Sequence, residues 1–293
     1  METTELTQGA VESRDGTRIG YWKTGHGPAV VFVHGSMESS RSHTLLAQAL
    51  ADDFTVYLLD RRGRGLSGPH RPDHSVRTEV EDVEAVLTLA DAELAFGVSA
   101  GGAVVMEAAR TLPVLRKVAV YEPALVMEGD SHRVWLARFD HEIARGDIPG
   151  AMVTSMFGLH LAPSFLKVMP RRMLTGMTER MLAKEERQLG ADAITMRKLA
   201  PTIHQEGALI AELAGTFDAY REVSAEVLLM GGSKGLAALK PWRDTLEKAL
   251  PHCRRIEFDG LDHGASSDPG GTNPRGSAKA VGRIAAEIKA FLS

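Results

Sequence analysis

The chain predicts an α/β fold: a mostly parallel sheet flanked by helices and interrupted by an all-helical insertion. Three observations carry this expectation. Short runs such as Ala29–Val33 (AVVFV) are apolar at every position, the pattern of strands covered on both faces. These runs alternate with stretches of helical period, the order that a doubly covered parallel sheet requires. From 126 to 223 the strand signal stops. Helical segments follow one another there between breaks at Gly146, Pro149, Pro163, Pro170, Gly190 and Pro201.

Taken in order, 11–13 and 17–23 flank Asp15-Gly16, a dipeptide suited to a hairpin turn. Strands are then expected at Ala29–Val33, 54–59, 93–98 and Lys117–Tyr121, with helices at 41–51, Val76–Ala90 (capped by Ser75) and 100–111 between them. After the insertion, strands return at 226–230 and 254–258, with helices at 241–250 and 277–292. The expected division is a core of 1–125 and 224–293 carrying a helical cap of 126–223. The cap would lie over the strands' C-terminal edge, where open α/β sheets bind ligands.

Of the 293 residues, 44% are hydrophobic and 25% charged, which excludes a disordered or fibrous chain. A net charge of −4 leaves no basic face for nucleic acid, and no apolar run approaches membrane-spanning length, so neither partner is expected. Cys253 is the one cysteine, so no internal disulfide or Cys-paired zinc site can form, and no metal or cofactor is expected. Residues 1–10 are polar and acidic, without the basic and apolar regions of a secretory signal, and a cytoplasmic location is the expectation. Composition leaves the oligomeric state open.

Gly97-Val98-Ser99-Ala100-Gly101 falls between a predicted strand and a predicted helix. A nucleophile on so sharp a turn needs small neighbours, and a helix N-terminus favours developing negative charge. Backbone N–H donors for an oxyanion would come from Ala100 and from Ser36 or Met37, in the His34-Gly35-Ser36-Met37 loop. A serine needs an imidazole to take its proton. Of eleven histidines, His263 is chosen because it lies in a Gly-bounded loop past the last strand, at the same sheet edge as Ser99. His34, at an early strand end, is expected to hold its loop by hydrogen bonds.

VHGS at 33–36, DRRGRGLSG at 60–68, GVSAGG at 97–102, the helical block and DHG at 262–264 together resemble the α/β-hydrolase superfamily over nearly the whole chain. The resemblance implies an α/β-hydrolase-type sheet, with Ser99 as nucleophile and His263 as general base and acid. Ser36, Met37 and Ala100 are the implied oxyanion-hole candidates. One departure is plain: most of the superfamily has an Asp just after the strand that follows the cap, and here the stretch reads GGSKGL at 231–236. Glu122, at the end of the strand after the nucleophile helix, is expected to be the acid instead. Some members, zearalenone lactonases among them, take their acid from that strand end. Asp60 is expected to be structural. Asp262 adjoins His263 too closely to turn back to its ring, and Asp244 lies too late in the chain.

Eight of the twelve methionines fall between 127 and 196. Thioether side chains fill irregular apolar space, so the cap should cover a bulky apolar group. Met169, Met173, Met177 and Met181 recur every four residues, a spacing expected of helix-packing core. Gly35, Met127, Trp135, Met156, Phe157 and His160 are the expected substrate contacts. The resulting expectation is hydrolysis of an apolar carboxylic ester or lactone, a zearalenone-type macrolactone included. A carbon–carbon bond hydrolase or a ligand-binding, weakly catalytic member of the fold are the alternatives. Dehalogenases and epoxide hydrolases of this fold use Asp where this chain has Ser99.

Overall fold

The computed structural model describes residues 5–125, 134–159, 161–162, 164–190, 193–270, 273 and 276–293. Its centre is an eight-stranded sheet of order β1-β2-β4-β3-β5-β6-β7-β8. β1 (Thr7–Glu12) and β2 (Arg18–Gly25) form the antiparallel hairpin expected around Asp15-Gly16. β2 also pairs antiparallel with β4 (Thr55–Leu59). The remaining strands run parallel: β3 (Ala29–Val33), β5 (Leu94–Val98), β6 (Lys117–Tyr121), β7 (Glu226–Gly232) and β8 (Cys253–Phe258).

The apolar strand runs are explained by helices on both faces. On one side, α2 (Val76–Ala90), α3 (Ser99–Thr111) and α9 (Lys240–Ala249) pack Val83, Val105 and Leu246 against Val31, Val120 and Leu229. On the other, α1 (Thr44–Leu50) and α10 (Ala278–Leu292) pack Leu46, Ile284 and Ile288 against Phe32, Phe96 and Leu228. Burying such a side chain contributes roughly 1.5–3 kcal/mol, so this sandwich fixes the sheet. The Ser75 hydroxyl accepts from the Thr78 N–H and starts α2 as expected. The expected 41–51 helix is shorter in its α-helical part, because 40–43 winds as a tighter 3₁₀ turn.

Between β6 and β7 the described chain is helical: α4 (Leu136–Ala144), α5 (Ile148–Gly158), α6 (Arg171–Leu189), α7 (Met196–Leu199) and α8 (Ile203–Glu212). Asp147 caps α5 by accepting from the Gly150 N–H, and Pro149 sits in its first turn, where no intrahelical donor is lost. A buried ion network ties this block to the sheet. Arg61 grips Glu79 through Nε and Nη2, each at 2.9 Å, and reaches Glu206 on α8 with Nη1 at 2.9 Å. Arg64 also donates to Glu206, and to Thr202 Oγ1 at 3.0 Å. The methionine stripe departs from expectation, since Met173, Met177 and Met181 stand about half exposed on α6. That helix packs through Leu174 and Leu182, one residue further round. Among the described residues no helix is long and apolar enough to cross a membrane.

Candidate active site

β5 runs directly into α3, and Ser99 takes the turn at a φ of 53°. L-residues other than Asn or Asp rarely adopt that conformation, and holding it costs on the order of 1–3 kcal/mol. Close packing permits it: a Cβ on Gly101 would run into the carbonyl oxygens of Val33 and His34. The helix N-terminus therefore sits directly on the end of β3, and the N–H of Ala100, in the first turn of α3, has no intrahelical acceptor. Ser99 Oγ lies 3.1 Å from His263 Nε2, and His263 Nδ1 lies 2.7 Å from Glu122 Oε2. The three residues singled out from the sequence are thus brought into one hydrogen-bonded chain.

Glu122 ends β6, fully buried, at a φ of 45°. Its Oε1 accepts from the Gly232 N–H at 3.1 Å and its Oε2 from the Leu236 N–H at 3.3 Å. A Cβ on Gly235 would overlap Glu122 Oε1, and one on Gly231 would overlap Arg243 Nη1. The glycines standing where most of the superfamily has its Asp therefore make room for a carboxylate entering from the neighbouring strand. Behind it lies Arg243 of α9, also buried, with Nη1 3.8 Å from Glu122 Oε1 and Nη2 3.6 Å from Glu257. Among the described residues its guanidinium makes no direct hydrogen bond. Burial pushes the Glu122 carboxyl up, but His263, the Gly232 N–H and Arg243 outweigh it and hold the group below its ordinary value. Sequence reading missed Arg243, which sits in a charged helical pattern with nothing local to mark it.

The other acids lie where the sequence placed them. Asp60 accepts from the N–H groups of Ser40 and Leu66, each at 2.9 Å, and braces its turn. Asp244 pairs with Arg255 on the surface. The Asp262 carboxylate accepts from Gly264 N, while its carbonyl takes the Tyr121 hydroxyl. His34 Nδ1 donates to the Gly35 carbonyl and Nε2 accepts from the Arg61 N–H. Burial, with Arg64 and Arg61 nearby, keeps this imidazole neutral by holding its pKa well below the usual value.

Met37 is the third residue here with positive φ, at 57°. Its loop is braced by Glu38, which the sequence reading did not single out. Glu38 Oε2 accepts from Gly35 N at 2.8 Å and lies 3.1 Å from His43 Nε2, and Oε1 accepts from the Ser267 hydroxyl. Burial alone would raise the Glu38 carboxyl, but His43 and these hydrogen bonds hold it down to about 2. The His43 pKa, lowered by burial and raised more strongly by Glu38, ends above its ordinary value. Glu38, through the Ser267 hydroxyl, and His43, whose Nδ1 lies 3.0 Å from the Ser266 carbonyl oxygen, thus join the loop after β3 to the loop carrying His263.

Two cavities meet at Ser99. The first, of about 510 Å³, is lined almost wholly by apolar groups, among them Met152, Met156, Met181, Met196, Ile210 and Trp242. The second, of about 390 Å³, is the more polar of the two, of mixed lining that includes Gly35, Glu38, Val98, Asp262, Gly264, Ser267 and Asn273. Ser36, Met37, Ser99 and His263 line both. Of the expected contacts, Met156 lines the apolar cavity and Gly35 the polar one. Trp135 and Phe157 do not face Ser99: they border a separate hollow with Arg138 and Arg171. The reason is helical phase. Met152 and Met156 share one face of α5, Phe157 lies about 100° round it, and Trp135 packs edge-on against Phe139. Met127 and His160 lie outside the described residues. Among those described, His70, His74 and Glu79 form the one His/acid group tight enough for a metal, within 4.8 Å of one another. Glu79 already spends both oxygens on Arg61, and none of the three lines either cavity.

Residues 30–275 match the model of the alpha/beta hydrolase family, and the chain belongs to that family. A similar curated protein is the pimeloyl-[acyl-carrier protein] methyl ester esterase of Stenotrophomonas maltophilia, 30% identical over 199 residues, or 64% of this chain and 75% of that one. An alpha/beta hydrolase from Sphaerobacter thermophilus superposes with a TM-score of 0.72 at 25% identity, over 96% of this chain and 99% of its own. A thermophilic esterase from Thermogutta terrifontis superposes with a TM-score of 0.70 at 16% identity over 98% of each chain, a likeness of fold.

Proposed function

We propose that the protein is a serine hydrolase that cleaves carboxylic esters of bulky apolar acyl groups through an acyl-enzyme on Ser99. The observation that carries this reading is the chain from Ser99 Oγ to His263 Nε2 at 3.1 Å and from His263 Nδ1 to Glu122 at 2.7 Å. Glu122 fixes the imidazole with its proton on Nδ1, leaving Nε2 to take the Ser99 proton as Oγ attacks the carbonyl carbon. The negative oxygen of the tetrahedral intermediate is stabilised by the Ala100 N–H and an N–H from Ser36 or Met37. His263 then gives its proton to the leaving oxygen, and a water activated the same way releases the acid. No cofactor enters this scheme.

The helical block, 126–223, acts as a cap whose methionines bound the acyl cavity. A relative named as a methyl ester esterase supports the ester class. Within that class, the position of Glu122 on β6 favours lactones, the zearalenone type included, as a second reading. The lone Cys253, its thiol pushed up to about 11 by burial, accords with a cytoplasmic protein that does not depend on disulfides.

Intact-mass labelling with a fluorophosphonate, on wild type and Ser99→Ala in parallel, tests the mechanism. Single-site labelling that vanishes in Ser99→Ala is expected. A folded wild type that does not label would overturn the reading.

A further inference from the structure

Resting on the ester reading above, we infer that the leaving alcohol occupies the polar cavity and carries hydrogen-bond donors, hydroxyl or ammonium. The substrate is then amphiphilic, with its scissile bond at the junction of an apolar and a polar chamber. The side is set by the loop that delivers the proton and by chamber polarity. His263 must hand its proton to the leaving oxygen, and although it borders both cavities, its neighbours Asp262 and Gly264 line only the polar one. The apolar cavity, walled by the helical block, is left for the acyl chain.

The donor requirement follows from the polar groups themselves. The Ser267 hydroxyl is already given to Glu38. The Asn273 amide donates to the carbonyls of Gly264 at 2.7 Å and Ser267 at 3.0 Å. Beyond Ser36 and Ser99 at the junction, the side-chain capacity that remains is accepting. It consists of Asn273 Oδ1, the second Asp262 oxygen and the one remaining lone pair of Glu38 Oε1, none of them used by another group among the described residues. Acceptors desolvated by a ligand without donors lose their water and gain nothing, whereas a hydroxyl or ammonium restores the bonds. Glu38 is matched by His43, but Asp262 has no ion-pair partner within 4 Å among the described residues, so an anionic alcohol is repelled.

The experiment holds the acyl group constant and varies the alcohol: kcat/KM for 2-(dimethylamino)ethyl octanoate, protonated at neutral pH with one N–H donor, 1-octanoylglycerol, butyl octanoate and octanoyl glycolate. The aminoethyl and glycerol esters are expected to exceed the butyl ester by about tenfold, one good hydrogen bond's worth, with the glycolate ester slowest. An aminoethyl ester well ahead of the glycerol ester assigns an ammonium, and the reverse a polyol. Asp262→Asn should shrink the aminoethyl-to-butyl ratio at least threefold, as read against Ser99 labelling rates. Turnover of the butyl ester equal to or faster than the other two would overturn the inference while leaving the ester reading standing. Should the wild type hydrolyse none of the four, the ester reading falls. Calorimetry on Ser99→Ala then decides the cavity: tighter binding of 2-(dimethylamino)ethyl octanoate than of butyl octanoate supports the inference, and equal or weaker binding overturns it.

Discussion

The sheet edge beneath Ser99 and the helical block above it are held by different physics. At the edge, three non-glycine residues sit at positive φ, and Glu122 is met by two backbone donors, an imidazole and a guanidinium. The hydrogen bonds among them are directional. The helical block meets the same cavity with thioethers and aliphatic side chains, which fill space without fixing an angle. Chemistry that needs sub-ångström geometry belongs to the first kind of surface, and tolerance of varied shapes to the second.

Substitutions at the edge should therefore cost far more than substitutions in the block. The largest effect is expected at Glu122. Glu122→Gln should lower kcat by about 10⁴, the scale seen when an orienting acid is lost, while Asp244→Asn stays near wild type. Equal, mild losses in a steady-state assay would end the distinction between the two acids. Arg243 comes next. Because the folded pKa of Glu122 is depressed, it stays a carboxylate as pH falls through the usual carboxylate range. Arg243→Met removes one positive charge that helps hold the Glu122 carboxyl down, so Glu122 takes up a proton at higher pH, and the acidic limb of the kcat/KM profile should move to higher pH. Arg243→Lys should hold the limb near its wild-type position, and coincident profiles for all three proteins would leave Arg243 a packing residue. The smallest effect is expected in the block. Met156→Ala should cost a few-fold in kcat/KM for octanoyl esters, about what a shortened apolar contact contributes, and Phe157→Ala almost nothing. A larger loss from Phe157 would show that the two faces of α5 have been exchanged.

The same contrast decides what could be read from the sequence. AVVFV, the Asp-Gly turn and the Ser75 cap are local signals, and each element appeared within a few residues of its expected place. Ser99, His263 and Glu122 were legible because each lies where a strand ends, and parallel strands deliver their ends to one edge. Glu38 and Arg243 were not. Arg243 is buried because Gly231, twelve positions earlier, leaves room for its guanidinium, and no window of sequence contains that relation. In the helical block, composition told which region borders the apolar cavity but not which face. Met156 and Phe157 are neighbours in the chain but about 100° apart round α5, and line different hollows. The four-residue spacing of Met173, Met177 and Met181 marked a stripe without saying that it stands half exposed, with only Met181 of the three reaching the apolar cavity.

The methionine lining has a consequence for how this protein ages. Cys253, half-buried and with a raised thiol pKa, holds little of the thiolate that peroxides attack. Met152, Met156, Met181 and Met196 instead offer four thioethers around the acyl cavity, and Met181 is also open to solvent. Conversion to the sulfoxide would place a polar, chiral S=O in the apolar lining proposed for the acyl chain. Oxidative damage would thus be felt first as lost affinity for long acyl chains, with Ser99 still reactive, and methionine sulfoxide reductases could reverse it.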